Sequence, residues 1–513
     1  MRPVAAGLLG SVALPPIGCW PAGILGVAVL CGELTSRRRG GRALAGLLYG
    51  IGYFSPSLVF AAEFSGVGYG AFVLLEAGFY AVAAVLVPRS RFALPGFVGA
   101  FGLAEWARGV FPFGGAPLGA PAIGQVGGPL AEVARLAGPL AVSLLVFGLG
   151  AALCGFVAAL LEVARRGRDV RRRPDASMRW PAAMGLGCVA VIGVALLAPS
   201  GGVPLASLRV AAVEGGGPRG LTAEQAAGAG VLTRTLGAAG SLVGPYGVVL
   251  WPEDVLALPG GASDVVTEDQ LGDEARDLRA TLIVGATILD HARFKNEMLV
   301  FSPRGVLVSS YEKIHPVPFG EYVPWRGLLR HFVSLNSVPL DAIAGHAPGV
   351  VRIADHRVGL VVSYEAFFPG LARSTVRRGA EALLVPTNTA SYASAQVPAE
   401  ELAASRLDAI ATGRDVLQAA TVGYSAIITP SGSVGSELGF GTSGALVGTL
   451  TLRSGMTPYD DAGDLPPLVL CLAMVFGAAA AARRRLRGRC SAPPRWPRRR
   501  PSPPDLVART GSG

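Results

Sequence analysis

Residues Ser310–Pro324 read SYEKIHPVPFGEYVP, which sets Lys313 between Glu312 and Glu321. Pro316, Pro318 and Pro324 remove backbone donors and interrupt both helix and strand ladders, so the stretch reads as a fixed, irregular loop. Chemistry concentrates in such loops when a rigid scaffold positions them. The lysine itself is conspicuous, because the chain holds only two, Lys295 and Lys313, against 43 arginines. An ammonium is a compact point charge whose pKa responds to burial, which a guanidinium cannot imitate. A lysine kept inside this loop therefore marks a position that wants an ammonium, whereas Lys295 has no such surroundings.

On either side of the loop the chain has the texture of an α/β domain. Short apolar runs at Leu208–Val213, Gly247–Leu250, Ala280–Val284, Met298–Phe301, Val358–Val362 and Ala382–Val385 predict strands, and Ala223–Leu236 and Ala399–Ala411 predict helices between them. Two of these runs end in reactive side chains. Gly247–Asp254 reads GVVLWPED and ends at Glu253, and Gly359–Glu365 reads GLVVSYE and ends at Ser363, Tyr364 and Glu365. A carboxylate, an ammonium and a hydroxyl at three strand ends suit a base, an oxyanion stabiliser and a nucleophile. Each also has a plainer reading: Glu253 as a capping carboxylate, Lys313 as an ion-pair partner, Ser363 as a small residue at a strand end. Cys19, Cys31, Cys154, Cys188, Cys471 and Cys490 all lie outside this region, so no disulfide, thiolate metal site or cysteine nucleophile is expected in it. The five histidines lack metal-ligand spacing and no phosphate loop is present, so neither a metal nor a cofactor is expected.

The flanks are of another kind. Over all 513 residues only 16% are charged and the mean hydropathy is +0.47, against about 25% charged in a soluble domain. Residues 205–464 carry 19 basic and 26 acidic residues, a net of −7, so the overall +10 leaves +17 on the apolar flanks. A basic excess confined to apolar flanks marks a membrane protein with basic loops and excludes a nucleic-acid binder, whose basic patch belongs on its folded polar domain. Apolar runs near 4–19, 20–35, 43–63, 66–87, 92–107, 136–162, 181–199 and 465–482 predict about eight spans. Arginine clusters follow the second span (Arg37, Arg38, Arg39, Arg42), the fourth (Arg89, Arg91), the sixth (Arg165 to Arg173) and the eighth, where nine arginines lie between Arg483 and Arg500. Every cluster follows an even-numbered span, which places both termini in the cytoplasm and the 205–463 domain outside. The expected organisation is a membrane domain of seven helices at 1–200, the α/β domain at 205–463, an eighth helix at 465–482 and a basic, disordered cytoplasmic tail at 483–513. Glu33, Glu63 and Glu105 sit near span ends and read as interfacial; Glu76 lies inside a span.

The motifs resemble the apolipoprotein N-acyltransferase family. WPED with Pro259 is similar to that family's WPE motif, and Tyr311–Pro324 resembles its lysine loop almost residue for residue. Ala13–Pro21 (ALPPIGCWP) and Glu105–Gly109 (EWARG) are similar to features of its membrane part. The resemblance implies a nitrilase-type αββα sandwich on a multi-span membrane part. It also implies transfer of an acyl chain from a phospholipid to the α-amine of a diacylglyceryl cysteine on apolipoproteins. Transferred by position, Glu253 takes the proton of residue 363, which attacks the ester; Lys313 stabilises the oxyanion; and Glu321, Glu365 and Tyr364 support the lysine and its loop. Two departures stand out. The family has Cys-Tyr-Glu where this chain has Ser363-Tyr364-Glu365, and its Asn-Asp-Ala-Trp type of stretch is here Asn388 to Tyr392. A thiol of pKa about 8.5 is readily brought to thiolate, whereas a serine hydroxyl needs a base during attack. Two readings follow: an acyltransferase that works through Ser363, or an impaired paralogue that binds lipoproteins or acyl lipids or assists an active copy.

Overall fold

A computed structural model of the chain describes residues 1–35, 37–63, 65–88, 93–166, 176–217, 230–258, 265–331, 335, 338–390 and 394–490. Arg89, Arg91, the arginines from Arg168 to Arg173, Pro259, Ser391, Tyr392, the first part of the Ala223–Leu236 stretch and the tail beyond residue 490 lie outside the described residues.

Among the described residues the 205–464 region forms two packed sheets. The strands in chain order are β1 (Val203–Glu214), β2 (Val248–Leu250), β3 (Leu256–Leu258), β4 (Thr281–Asp290), β5 (Arg293–Phe301), β6 (Leu307–Glu312), β7 (Asp341–Ile343), β8 (Gly349–Ile353), β9 (His356–Leu360), β10 (Ala382–Thr387), β11 (Val416–Ala420), β12 (Ser425–Ile428), β13 (Val434–Leu438) and β14 (Gly444–Ser454). One sheet runs β14-β1-β2-β4-β5-β6, with β3 and β7 pairing off it; the other runs β13-β12-β11-β10-β9-β8. The centre of each is parallel, β1-β2-β4 in the first and β9-β10-β11 in the second, with antiparallel strands at the margins.

Strand alternation decides what each sheet faces, since successive side chains point to opposite sides. Val248 and Leu250 of β2 pack with Ile283 and Met298 against Leu360, Leu384 and Leu417 of the second sheet, forming the core between the sheets. Val249, Leu282 and Val284 point the other way, onto helices Val231–Ala239 and Val265–Leu278. Leu383 and Val385 of β10 leave the second sheet on its far side and meet Leu407 and Ile410 of helix Gln396–Thr412. The layers are therefore helix, sheet, sheet, helix.

The same outer cluster continues into the membrane part, because helix Gln396–Thr412 packs against helix Ala134–Arg166. Each of the eight apolar stretches carries a helix: Arg2–Ser11, Trp20–Thr35, Arg39–Ser57, Gly66–Leu86, Ala93–Arg108, Ala134–Arg166, Ala176–Leu197 and Leu465–Cys490. Among the described residues, four helical segments, at residues 66–86, 131–165, 180–197 and 465–484, are long and apolar enough to cross a membrane. The first stretch is shorter than expected. Its helix closes at Ser11 and turns carry the chain past Pro15 and Pro16, whose missing N–H groups cannot continue it. Ten residues rise about 15 Å, half the hydrocarbon thickness. This short helix is held by close backbone contact: a side chain at Gly7 would meet the Tyr49 carbonyl, and one at Gly52 the Val4 carbonyl, each within 2.3 Å. Glu105 is not interfacial as its position suggested. Buried Arg108 donates to Glu76 (2.5 Å) and Glu105 (3.0 Å), and Tyr80 donates to Glu105 (2.6 Å), so both carboxylates are paired inside the helix bundle.

Candidate active site

Glu253 stands at the end of the β2 connection. Trp251 extends the sheet by donating its backbone N–H to Ile283 (2.8 Å), and Gly285 on β4 donates to Pro252 (3.1 Å). Gly285 is required here, since a side chain would lie 2.4 Å from the Pro252 carbonyl and 2.5 Å from Glu253 Cα. The Glu253 carboxylate is thus delivered at 2% exposure into the space beyond the strand ends. Next to it, Asp254 adopts a left-handed backbone and accepts from Thr287 and from Asn388 (3.2 Å).

Lys313 follows β6 directly and is also 2% exposed. Its ammonium donates to Glu253 Oε1 at 2.7 Å and Glu321 Oε1 at 2.8 Å. The Asn296 amide donates to the same two oxygens, at 2.7 and 3.1 Å. Glu321 uses its other oxygen on the Val317 N–H (2.8 Å), so it holds both the lysine and the loop. Burial pushes the Glu253 carboxyl up to about 8 against the pull of Lys313. Burial alone would lower the Lys313 pKa, but Glu253 and Glu321 together hold it well above the usual range, so the ammonium stays charged. His315 is shifted down by burial and by Lys313, and its ring stacks on Phe368 at 4.4 Å.

Ser363 opens a short 3-10 turn, Ser363–Phe367, three residues beyond the end of β9, so the strand stops earlier than the GLVVSYE run suggested. Its φ is +50°, a left-handed conformation that costs a non-glycine residue about 1–2 kcal/mol. Strain of this kind persists only where the surroundings over-determine it, and it clusters at reactive positions. Here the determinant is Glu365, fully buried. Its carboxylate accepts from the N–H groups of Ile314 (2.6 Å), His315 (3.2 Å) and Val362 (2.8 Å) and from the Tyr311 hydroxyl (3.0 Å). One carboxylate thereby clamps the residue after Lys313 to the residue before Ser363. It holds the loop that carries the lysine, while Glu321 bonds the ammonium itself.

Ser363 Oγ accepts from the Thr387 hydroxyl at the end of β10 (3.4 Å), and burial raises the pKa of the Glu401 carboxyl on helix Gln396–Thr412 against the pull of the Thr387 and Ser363 hydroxyls. Thr421 closes the circle, donating its N–H to the Thr387 carbonyl (3.1 Å) and its hydroxyl to the Glu253 carbonyl (3.2 Å). Tyr364 turns outward and donates to Gly115 of the loop after helix Ala93–Arg108 (3.1 Å), while Tyr322 donates to Phe113 of the same loop (3.2 Å). Phe113 stacks edge-on against Trp325 and Phe319, both exposed, giving the site an apolar rim shared with the membrane part. Lys295, the other lysine, forms a half-exposed pair with Glu312 away from this network. No cluster of His, Cys, Asp and Glu suited to a metal is found among the described residues.

Sequence reasoning found Glu253, Lys313, Ser363, Glu321 and Glu365 but missed Asn296, Thr387, Tyr311 and Glu401. The Glu400-Glu401 pair was a usable signal. Two adjacent carboxylates in an alanine-rich helix point about 100° apart, so a helix packed on two sides buries both. Glu400 accepts from the Gly119 N–H (3.2 Å), and Glu401 beside it is buried as well.

A carboxylate, a caged ammonium and a strained hydroxyl at the strand ends of a four-layer sandwich define a carbon–nitrogen hydrolase type of domain. Residues 228–456 match the carbon-nitrogen hydrolase family, and residues 6–152 match the apolipoprotein N-acyltransferase N-terminal domain. The apolipoprotein N-acyltransferase of Mycolicibacterium smegmatis is 30% identical, over 92% of this chain and 84% of that protein, and the one of Rhodopseudomonas palustris is 28% identical, over 91% and 92%. The chain belongs to the apolipoprotein N-acyltransferase family. Among solved structures, Saccharomyces cerevisiae Nit3 of the nitrilase superfamily aligns with 51% of this chain and 96% of its own, with a TM-score of 0.35 and 17% identity.

Proposed function

We propose that this chain is an N-acyltransferase that moves an acyl chain from a phospholipid to the α-amine of the diacylglyceryl cysteine of apolipoproteins, with Ser363 as nucleophile. Family membership supports the reaction class. The observation that carries the assignment of residues is the Glu365 clamp, which ties the backbone beside Lys313 to the strained backbone of Ser363. Ser363 attacks the ester carbonyl and the glycerol oxygen departs; Lys313 stabilises the oxyanion, a contribution of about 10²–10³ in rate for a single donor. Glu253, shifted towards neutrality by burial, is a base for the proton transfers. The amine then attacks the acyl-serine and forms the amide. Glu321 holds the lysine, Glu365 the loop, and Tyr364 the junction with the membrane part.

The chain is a multi-pass protein of the bacterial cell membrane in this proposal, with eight helices, residues 205–463 outside and both termini in the cytoplasm. The even spacing of the arginine clusters supports that orientation. Two lipid-anchored substrates require a site opening at the bilayer, and exposed Phe319 and Trp325 beside Phe113 supply an apolar approach.

The test is expression in a strain depleted of its own N-acyltransferase, followed by mass spectrometry of a lipoprotein N-terminus. The wild type yields a triacylated product and Ser363→Ala abolishes it. Equal triacylation by both would sink the nucleophile assignment. No product from the wild type, with product restored by Ser363→Cys, would favour the impaired paralogue. An extracytoplasmic signal from a reporter fused near Pro174 would overturn the orientation.

A further inference from the structure

Arg108 ends helix Ala93–Arg108 and is wholly withdrawn from solvent. Its guanidinium works in two directions. Nε and Nη1 donate to Glu76 (2.5 Å) and Glu105 (3.0 Å), and the group lies over the Phe54 ring at 4.6 Å. Nη2 turns to the loop that follows the helix and donates to the carbonyls of Leu118 and of Ala116, the latter at 3.4 Å. The Arg108 carbonyl in turn accepts from the Ala116 N–H (2.8 Å). Other polar groups of the same loop face the catalytic domain. Phe113 and Gly115 offer their carbonyls to Tyr322 (3.2 Å) and Tyr364 (3.1 Å), and the Gly119 N–H goes to Glu400 (3.2 Å). Gly115 has a φ of +106°, and a side chain there would lie 2.2 Å from the Gly109 carbonyl, so the loop folds tightly back on the end of the helix.

A buried ion pair is often no more stabilising than apolar residues of equal volume, so charge balance alone does not explain a guanidinium at this depth. Its fork does. A planar group with five N–H donors reaches two carboxylates and two backbone carbonyls together, which the three-donor ammonium of a lysine does not match. We propose that Arg108 is a positioning residue for acyl transfer: it tethers the 113–119 loop, and the loop seats Tyr364 beside the nucleophile. The proposal rests on Ser363 being that nucleophile. The left-handed backbone at Ser363 persists only while its surroundings over-determine it. On one side Glu365 holds the Val362 N–H (2.8 Å), and on the other Gly115 holds the Tyr364 hydroxyl (3.1 Å). Arg108 fixes the second of these holds from inside the membrane part, as Glu365 fixes the first from the lysine loop. It acts through Tyr364 rather than on the reacting atoms, so its effect falls on the rate of attack and not on the binding of lipid.

The test keeps the charge and removes the fork. Arg108→Lys can still pair with Glu76 and Glu105 but cannot also reach both loop carbonyls. The purified full chain in detergent is mixed with phosphatidylethanolamine bearing a fluorescent acyl chain, without acceptor, and the acyl-enzyme is followed by mass spectrometry over a range of lipid concentrations. Misplacing a reacting group by about 1 Å costs on the order of 10²-fold in rate, so Arg108→Lys should lower the maximal rate about 10- to 100-fold and leave the half-saturating lipid concentration within about threefold. Gly115→Ala displaces the loop without touching a charge and should do the same. Because the effect passes through the tyrosine, Arg108→Lys added to Tyr364→Phe should cost less than about threefold beyond Tyr364→Phe alone. Hydrogen exchange across residues 363–367 should be faster in Arg108→Lys, with helix Ala134–Arg166 unchanged as the sign of a folded membrane part. Either variant within about threefold of the wild-type maximal rate, losses that multiply in full with that of Tyr364→Phe, or unchanged exchange across 363–367 would each overturn the role of Arg108. Acyl-enzyme formed equally by Ser363→Ala and wild type, or by neither, would instead overturn the Ser363 reading, and the exchange measurement then decides the tether by itself.

Discussion

Replacing Lys313 by methionine removes one ammonium and leaves its cage. In the native site the Nζ lies 2.7 Å from Glu253 and 2.8 Å from Glu321, and both carboxylates are largely withdrawn from water. Methionine fills nearly the same volume, so the cost is electrostatic. The two Oε1 atoms then share the side-chain amide of Asn296, and Glu321 keeps only the Val317 N–H besides. Removing one partner of a buried ion pair costs about 3–5 kcal/mol. For a domain of this size each kcal/mol lowers Tm by about 2–4 °C, so Lys313→Met should unfold roughly 6–20 °C below wild type at pH 8. The sign with pH follows from linkage. Glu253 already titrates above its unfolded value through burial, and losing the pull of Lys313 raises it further, so the stability it contributes when protonated is present at low pH and lost as pH rises. The gap should therefore narrow at pH 5. Adding Glu253→Gln removes one of the stranded charges and should recover about 1–2 kcal/mol, the order of an unmet charge. Trp251, fully buried two residues before Glu253, reports the transition by intrinsic fluorescence in detergent. A Lys313→Met protein within 2 °C of wild type at pH 8, or a gap that widens towards pH 5, would refute the reasoning.

Three further outcomes can be checked. Ser363→Cys should raise the rate of acyl-enzyme formation at least tenfold, because a thiol is far more acidic than a hydroxyl; an unchanged or lower rate, read by acyl-enzyme mass spectrometry, would contradict the site's fit to a thiolate. Acyl transfer to a diacylglyceryl peptide should rise about tenfold per pH unit between pH 6 and 8 and level off above about 8, as the Glu253 carboxyl ionises; a flat profile would remove Glu253 as base. Glu365→Gln turns an amide donor towards the Ile314, His315 and Val362 N–H groups and should cost about 2–4 kcal/mol along with most of the activity; near-native stability in thermal unfolding would argue against the clamp.

The division of the chain into an apolar, basic part and a weakly acidic α/β part was legible because hydropathy and charge are properties of composition. Glu253, Lys313 and Ser363 were legible because each ends an apolar run or sits in a proline-rich loop, and the near-absence of lysine singled out Lys313. The length of the first helix was not legible, since Pro15 and Pro16 end it only through the backbone hydrogen bonds they cannot make. Glu105 was misread as interfacial because its partners, Arg108 one turn away and Tyr80 from a different helix, meet it only in the folded packing.

By itself, then, the sequence determined where apolar segments end, which reactive groups exist and which family pattern they follow. Only the tertiary structure decided who meets whom. Glu365 bonds a loop about fifty residues upstream, and Glu400, on a helix on the far side of a sheet, accepts from Gly119 of the membrane part. Asn296 joins Glu253 to Glu321 across two strands. The physical reason is that hydrogen bonds and ion pairs at about 3 Å depend on distance in space, while hydropathy accumulates along the chain. The serine at 363 was visible in the sequence; the clamp by which Glu365 ties its backbone to the lysine loop was not.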